Sequence, residues 1–369
     1  MKVVFLLSGL GSGGLENYLL RFLTYCARSN LQLEATIICR GEARGKEAVL
    51  VSKFIALGVI IEHMPIHHLS LTKHYQLYKY LKEKQFDVLC DFGGYLSGFI
   101  MFIAFYLGIR IRIASYRESR FQFEATLMKR IFVAISKRLV AIFATKIISN
   151  SVDAFLYFHP KYQKGKKYKV IENSINLHEK LNICHREQFR LSNGIPIDAF
   201  VVGHVGRFTR AKNHPMVAEF ISNINKSDNT VHFLLCGQGV KDGMAALDAK
   251  LLNVHYIDFL GSLDVFYSAL DLFYFPSLNE GQPNVLLEAQ SVGLPIIASD
   301  IRAIKNTVPE LVNPFLVPAL DMERTLAIYN NYRNNPSIFP SDKVSKIIRK
   351  KYASDLNFAI FFDELKGGD

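Results

Sequence analysis

Short apolar runs alternate along this chain with longer stretches in which apolar residues recur every three or four positions, the signature of strands and helices taken in turn. Such alternation predicts parallel sheets covered by helices on both faces. A first series of strands is expected near 2–8, 34–39, 59–64, 87–92, 110–115, 145–150 and 168–172. After Asn193-Gly194-Ile195-Pro196 a second series opens at 200–206 and continues near 231–236, 254–258, 271–276, 295–299 and 315–318. Each series makes one doubly wound domain, so the expected fold class is α/β with two Rossmann-like domains, over residues 1–180 and 181–345. Tyr352, Leu356, Phe358, Ile360, Phe361 and Leu365 then mark a closing helix within 346–369.

Two stretches of the first domain depart from this pattern. The run from Phe92 to Ile109 holds no charge over eighteen residues, just long enough to suggest a membrane span. Gly93, Gly94, Ser97, Gly98 and Gly108 dilute it and strands flank it, so a buried or interfacial helix is expected, with contact to lipid left open. In the window 110–146, Arg110, Arg112, Arg117, Arg120, Lys129, Arg130, Lys137, Arg138 and Lys146 face only Glu118 and Glu124. Leu127, Met128, Ile131, Phe132, Ile135, Leu139, Ile142 and Phe143 interleave with them at helical spacing. A basic amphipathic helix of this kind suits an anionic membrane surface; an ordinary solvated face of a basic protein is the alternative.

The candidate chemistry lies in the second half. In Glu280-Gly281-Gln282-Pro283-Asn284-Val285-Leu286-Leu287-Glu288 two carboxylates stand eight residues apart. Leu272 to Phe275 reads as a buried strand ending at Pro276-Ser277, and Pro283 suits the first turn of the helix that carries Glu288. Glu280 then belongs to the strand-to-helix loop, and the two carboxylates can meet one ligand at two points. The amides of Gly281, Gln282, Asn284 and Val285 lie at the helix start, where the dipole and unpaired N–H groups favour an anion. Taken alone the segment reads first as a surface turn with a capping Glu. Upstream, the strand Val201 to Val205 runs into Gly206-Arg207-Phe208-Thr209-Arg210-Ala211-Lys212-Asn213, and Arg207 and Lys212 are placed to reach a diphosphate.

These segments, followed in order by Leu234-Leu235-Cys236-Gly237-Gln238-Gly239, Phe259-Leu260-Gly261 and Gly293-Leu294-Pro295, give a chain that resembles the family 4 retaining glycosyltransferases of GT-B fold, the glycosyl transferases group 1 of bacterial capsule and exopolysaccharide assembly. At the amino end Gly9, Gly11, Gly13 and Gly14 follow the first strand, and Gly13-Gly14-Leu15-Glu16 looks like the loop that faces donor phosphates and acceptor in that family. Lys169 to Asn176 sits where the family carries a Pro-Asn-Gly run joining its domains, here with Glu172 and Ser174 in place of proline and glycine. The resemblance implies a cleft between the domains, Glu288 on the nucleotide ribose, Glu280 on the donor sugar, retention of anomeric configuration, and a terminal helix crossing back to the first domain. Where the family often has a histidine after its fourth strand, this chain offers Asp91. Arg207 and Lys212 would stabilise charge on the departing nucleoside diphosphate.

Composition narrows the setting. The net charge of +11 is unevenly shared: residues 1–180 hold 26 Lys and Arg against 13 Asp and Glu, whereas residues 181–369 hold 18 against 20. Donor binding is therefore expected in the nearly neutral half, with acceptor and membrane contact in the basic half. No zinc-finger spacing, recognition helix or Arg-rich tail supports nucleic acid as partner. Five scattered cysteines without metal spacing read as thiols of a reducing compartment, and the start carries no signal-peptide pattern, so a cytoplasmic location at the inner membrane face is expected. No two aspartates stand two residues apart, so no metal is expected; the co-substrate is a nucleotide sugar, taken as UDP-linked, and the acceptor a lipid-linked or other saccharide. An epimerase or phosphorylase of the same fold and a catalytically silent nucleotide-sugar-binding subunit are the alternatives.

Overall fold

The computed structural model describes residues 1–11, 14–41, 48–66, 70–117, 127–159, 165–175, 183–245, 253–257 and 263–368. Among them two compact units separate, Met1–Ser174 with Ser354–Asp369, and Ile175–Ala353. The division near the carboxyl end falls at Ala353, not at 345, because the final apolar pattern forms two helices that fill different cores. Ser341–Tyr352 buries Val344, Ile348 and Tyr352 among the residues of the second unit. Ser354–Lys366 buries Phe358, Phe361, Phe362 and Leu365 in the first. At the other boundary the division falls at Ser174, and residues 176–182, which include the expected border at 180, lie outside the described residues.

The first unit holds β1 (Lys2–Leu7), β2 (Glu34–Cys39), β3 (Ile60–His63), β4 (Val88–Asp91), β5 (Ile111–Tyr116), β6 (Lys146–Ser149) and β7 (Tyr168–Val170). They form one sheet in the order β3-β2-β1-β4-β5-β6-β7, parallel throughout. The second holds β8 (Val201–Val205), β9 (His232–Cys236), β10 (Val254–Ile257), β11 (Leu272–Phe275), β12 (Ile296–Ser299) and β13 (Leu316–Val317), ordered β10-β9-β8-β11-β12-β13 and again parallel. Central strands are buried along their length, for instance Val3 to Leu7 in β1 and all of β4, β8, β11 and β12. Helices cover both faces, so such strands read as continuous apolar runs without alternation.

In each sheet the strand order reverses once, between β1 and β4 and between β8 and β11. Crossovers leave these points on opposite faces, so the carboxyl ends of the two strands open a crevice there, the usual ligand position of an open α/β sheet.

The uncharged run from Phe92 to Ile109 is not one helix. Gly94 takes φ +55° in a short 3-10 turn over Gly94–Leu96, and only Gly98–Tyr106, nine residues, is α-helical. No helix among the described residues is long and apolar enough to cross a membrane. Gly98 packs against Ser136 of the helix Leu127–Phe143: its amide donates to Ser136 Oγ at 3.0 Å, and a Cβ on Gly98 would meet Ser136 O at 2.5 Å. That contact decides which face of Leu127–Phe143 turns inward. Val133, Ser136 and Val140 are buried, whereas Leu127, Met128, Ile131, Ile135 and Ile142 are exposed. Only part of the interleaved apolar set therefore contributes to the core.

Candidate functional site

The crevice of the second unit is built from the turns that leave β8 and β11. Gly206 ends β8 with its amide on the Cys236 carbonyl at 2.9 Å, and a Cβ there would meet the Lys212 stem at 2.9 Å. Gly237, just past β9 at φ +153°, lies so close that its added Cβ would stand 2.1 Å from the Gly206 carbonyl oxygen. Two glycines thus let the turns after adjacent strands touch. A 3-10 turn, Arg210–Lys212, follows, and Asn213 takes the left-handed conformation at φ 56°. Its side-chain amide donates to the carbonyls of Pro276 and Ala319, both at 3.0 Å, while Leu278 N donates to Ala211 O at 2.8 Å. The β8 turn is thereby tied to the end of β11.

This fastening brings two of the sequence candidates together. Lys212 Nζ lies 2.6 Å from Glu280 Oε1 and 4.8 Å from the centroid of the Phe275 ring. The side chains are 21% and 11% exposed, a partly dry setting in which a charge-assisted contact is stronger than on an open surface. The helix is Asn284–Ser291, and it corrects the expected place of Pro283. Proline stands at the N-cap, in extended conformation at ψ 97°, and its carbonyl accepts from Leu286 N and Leu287 N at 3.1 and 3.2 Å. Asn284 and Val285 therefore open the helix, and their amides lie at the positive end of its dipole. Gly281 and buried Gln282 belong to the turn before it.

Glu288 sits one turn into that helix, 8% exposed. The Tyr267 hydroxyl, with one proton to donate, lies 3.0 Å from Val285 O and 3.3 Å from Glu288 Oε2, so it serves one or the other acceptor at the helix start. Arg207 stands exposed in the β8 turn. Gly14 opens the helix Gly14–Arg28 of the first unit, and Gly13 lies outside the described residues.

Beneath the β8 turn lie two buried imidazoles, His204 and His214, 5.1 Å apart. Burial pushes them down to about 3 and about 4, so both rings are neutral near pH 7. His204 Nδ1 lies 3.0 Å from the Tyr274 carbonyl, which makes it the N–H that donates. These rings fill space under the turn.

The corresponding crevice of the first unit contains Asp91 at the end of β4. It is fully buried and bound on both oxygens by Arg40, at 3.0 and 3.2 Å, and Oδ1 also accepts from Gly93 N at 2.8 Å. A carboxylate held by three donors is a fixed counter-ion. Among the described residues no three His, Cys, Asp or Glu side chains gather to hold a metal.

Sequence reading missed Asn213, which ties the Lys212 turn to the end of β11, and Tyr267, which lies against the helix start that carries Glu288. Asn213 carried a usable signal, since asparagine just before a helix is among the few residues that accept the left-handed conformation. Tyr267 carried none, because its contact spans 21 residues.

Residues 199–329 match the family model described as glycosyl transferases group 1. The chain is 25% identical over 309 residues, 81% of its length and 79% of the relative's, to the putative glycosyltransferase EpsF of Bacillus subtilis. It is 26% identical over 365 residues, 91% of its length and 89% of the relative's, to the UDP-Gal:alpha-D-GlcNAc-diphosphoundecaprenol alpha-1,3-galactosyltransferase of Escherichia coli. The crystal structure of Anabaena HepE in complex with UDP and glucose shares the fold over 99% of both chains, with a TM-score of 0.79 at 18% identity. The two parallel Rossmann-like units are those of the GT-B fold.

Proposed function

We propose that this chain, a group 1 glycosyltransferase of GT-B fold, moves a hexose or N-acetylhexosamine from a UDP-sugar to a hydroxyl of a lipid-linked or saccharide acceptor in surface polysaccharide assembly. The observation that carries this reading is the Lys212–Glu280 pair at the strand-order reversal of the second unit, beside the helix start that leads to Glu288. A nucleoside diphosphate suits that place. The amides of Gly281, Asn284 and Val285 and the Lys212 ammonium meet its phosphates, and Glu288 accepts from ribose hydroxyls. Glu280 both steadies Lys212 and accepts from a sugar hydroxyl.

Departure of the diphosphate leaves negative charge on its terminal oxygen as the glycosidic bond breaks. Lys212, exposed Arg207 and the helix-start amides are aimed at that charge, the electrostatic contribution that ordinarily dominates such a step. The acceptor hydroxyl attacks the face the leaving group vacates and passes its proton to the departing phosphate oxygen, which retains configuration without an enzyme nucleophile and without a metal. UDP as carrier and a lipid diphosphate acceptor are supported by two similar proteins, one a UDP-galactose enzyme acting on a diphosphoundecaprenol sugar and one a fold neighbour bound to UDP.

Peripheral attachment to the inner membrane face is part of the proposal. Leu71–Lys84, Gly98–Tyr106 and Leu127–Phe143 pack side by side through Tyr78–Tyr106, Phe99–Phe132 and Phe102–Phe143 ring contacts. They leave Tyr106, Leu127, Met128 and Ile131 exposed beside Lys129 and Arg130, an apolar surface with a cationic border that suits anionic lipid.

A donor screen by mass spectrometry, with membrane extract as acceptor, tests the reading. Transfer or donor hydrolysis that Glu280→Ala abolishes is the expected result. Tight binding of donors with no turnover of any would identify a silent binding subunit, and release of an epimerised sugar an epimerase.

A further inference from the structure

The two imidazoles beneath the β8 turn do more than packing asks of them. His204 and His214 are each 1% exposed, and His204 Nε2 and both ring nitrogens of His214 have no hydrogen-bond partner among the described residues. A buried polar atom left unpaired costs about 1–3 kcal/mol, a penalty that an apolar ring of the same size avoids. His204 is explained in part, since its Nδ1 is engaged by the Tyr274 carbonyl. His214 is not.

The place of His214 is set by the chain reversal at Asn213. It is the first residue of the helix His214–Ser227, and its ring lies 4.8 Å from that of Phe208 and 5.1 Å from that of His204, between centroids. The carbonyls of Thr209 and Gly206 face it. Both belong to residues that set Lys212: Thr209 O accepts from Lys212 N at 3.1 Å, and Gly206 lies against the Lys212 stem. A carbonyl has a second lone pair, so Thr209 O can take a further donor without giving up Lys212 N. Burial and the nearby Lys212 ammonium keep the ring neutral, with one N–H to give.

The rest of the turn is already fastened. Phe208 N donates to Gln238 O at 3.0 Å, and the Phe208 ring lies over Gly243 of the helix Val240–Ala245, where an added Cβ would meet Cδ2 at 2.4 Å. Farther on, Ala211 O accepts from Leu278 N at 2.8 Å. Between these two points Thr209 O faces a donor that it does not yet meet at hydrogen-bond geometry. A diphosphate drawn to Arg207 and Lys212 favours the one arrangement of the turn in which both cations reach it, and a bond from below fixes that arrangement.

We propose that His214 is a positioning residue for the donor diphosphate: when the donor binds, its ring N–H donates to the Thr209 carbonyl and holds Arg207 and Lys212 in reach of the phosphates. The imidazole itself does not touch the donor. The proposal rests on the donor reading of this crevice.

The experiment is calorimetric titration of the full chain with UDP near pH 7, together with melting midpoints of the unliganded proteins and the ring N–H resonance of His214 followed by NMR. His214→Phe, which keeps a ring beside Phe208 and loses the N–H, should weaken UDP binding at least about tenfold. Its unliganded melting midpoint should equal or exceed that of the wild type, because the unpaired ring nitrogens are gone. His214→Asn and His214→Gln carry an amide N–H near the places of Nδ1 and Nε2, and one of them should regain most of the affinity. In the wild type, UDP should move the His214 ring N–H resonance downfield and slow its exchange with water. UDP binding unaltered in His214→Phe would overturn the proposal, as would affinity lost only in step with a lowered melting midpoint, or two amide variants no better than Phe. Should His214→Phe fail to fold, the wild-type resonance decides, and no change on adding UDP overturns the proposal. A wild type that binds no UDP removes the donor reading and this proposal with it, whereas equal binding by wild type and His214→Phe removes this proposal alone.

Discussion

The two units share one architecture, a parallel sheet whose strand order reverses once, and they differ in what the reversal point holds. In the second unit a flexible cation and a carboxylate, Lys212 and Glu280, face each other across the crevice beside an open helix end. In the first the corresponding crevice holds two rigid arginine forks, one neutralised by a buried carboxylate and one laid on an aromatic ring. The outer faces differ as sharply, since the basic excess and the exposed apolar helices both belong to the first half of the chain. The same topology therefore carries one crevice with a lysine paired to a carboxylate beside an open helix end and one whose arginines are held by a buried carboxylate and an aromatic ring. Lysine with a movable partner can adjust as charge develops, whereas a stacked guanidinium fixes geometry.

The largest expected effect breaks the comparison at its catalytic side. Glu280→Ala should lower kcat by about a hundredfold to a thousandfold in a donor-turnover assay. Next comes the surface. Replacing exposed Ile131 and Ile135 together by Glu should reduce sedimentation with anionic vesicles by about a hundredfold, from two lost apolar contacts of about 1.5 kcal/mol each, with turnover of a water-soluble acceptor unchanged. Gly237→Ala should destabilise the chain by about 1–3 kcal/mol in denaturant unfolding, because its methyl group meets the Gly206 carbonyl and the turns after β8 and β9 cannot both stay in place.

The smallest effect is a pH dependence. His204 and His214 are pushed down to about 3 and about 4 in the folded chain, from 6.5 when unfolded. Between those values the unfolded chain binds protons that the folded one does not. Their contribution is complete above about pH 6.5 and is lost as pH falls toward 4, with a slope of up to about 1.4 kcal/mol per pH unit for each ring. Melting midpoints followed from pH 7 to 5 should decline accordingly, and His214→Phe should flatten the decline.

Much of this was legible from residue order. Thirteen strands appear where the apolar runs placed them, because buried parallel strands need uninterrupted apolar sequence and glycine or proline at their ends. Glu280 and Glu288 were legible as a loop carboxylate and a helical one, since strand, turn and helix follow one another locally. Pro283 was read one position too far into the helix: its fixed φ suits either the cap or the first turn, and only its ψ of 97° separates them. The helix Leu127–Phe143 shows the limit of periodicity more clearly. Its spacing announced an amphipathic helix, yet a small-residue contact, Gly98 on Ser136, selected a narrow buried face and turned several of the largest apolar side chains to the surface.

The sequence by itself determined the α/β class, the order of the strands along the chain, the uneven charge of the two halves, and the residue types of the proposed nucleotide-sugar site. These follow from local propensity, periodicity and composition, which act over a few neighbouring residues. Tertiary structure decided which residues meet. Lys212 reaches Glu280 across 68 positions because Asn213 fastens two strand ends, and Arg40 takes up Asp91 across 51. It also left Arg117 lying on Tyr18 with one donor unsatisfied. Contacts between distant segments depend on the sheet's order of strands and on close packing, neither of which leaves a mark in the spacing of residues along the chain.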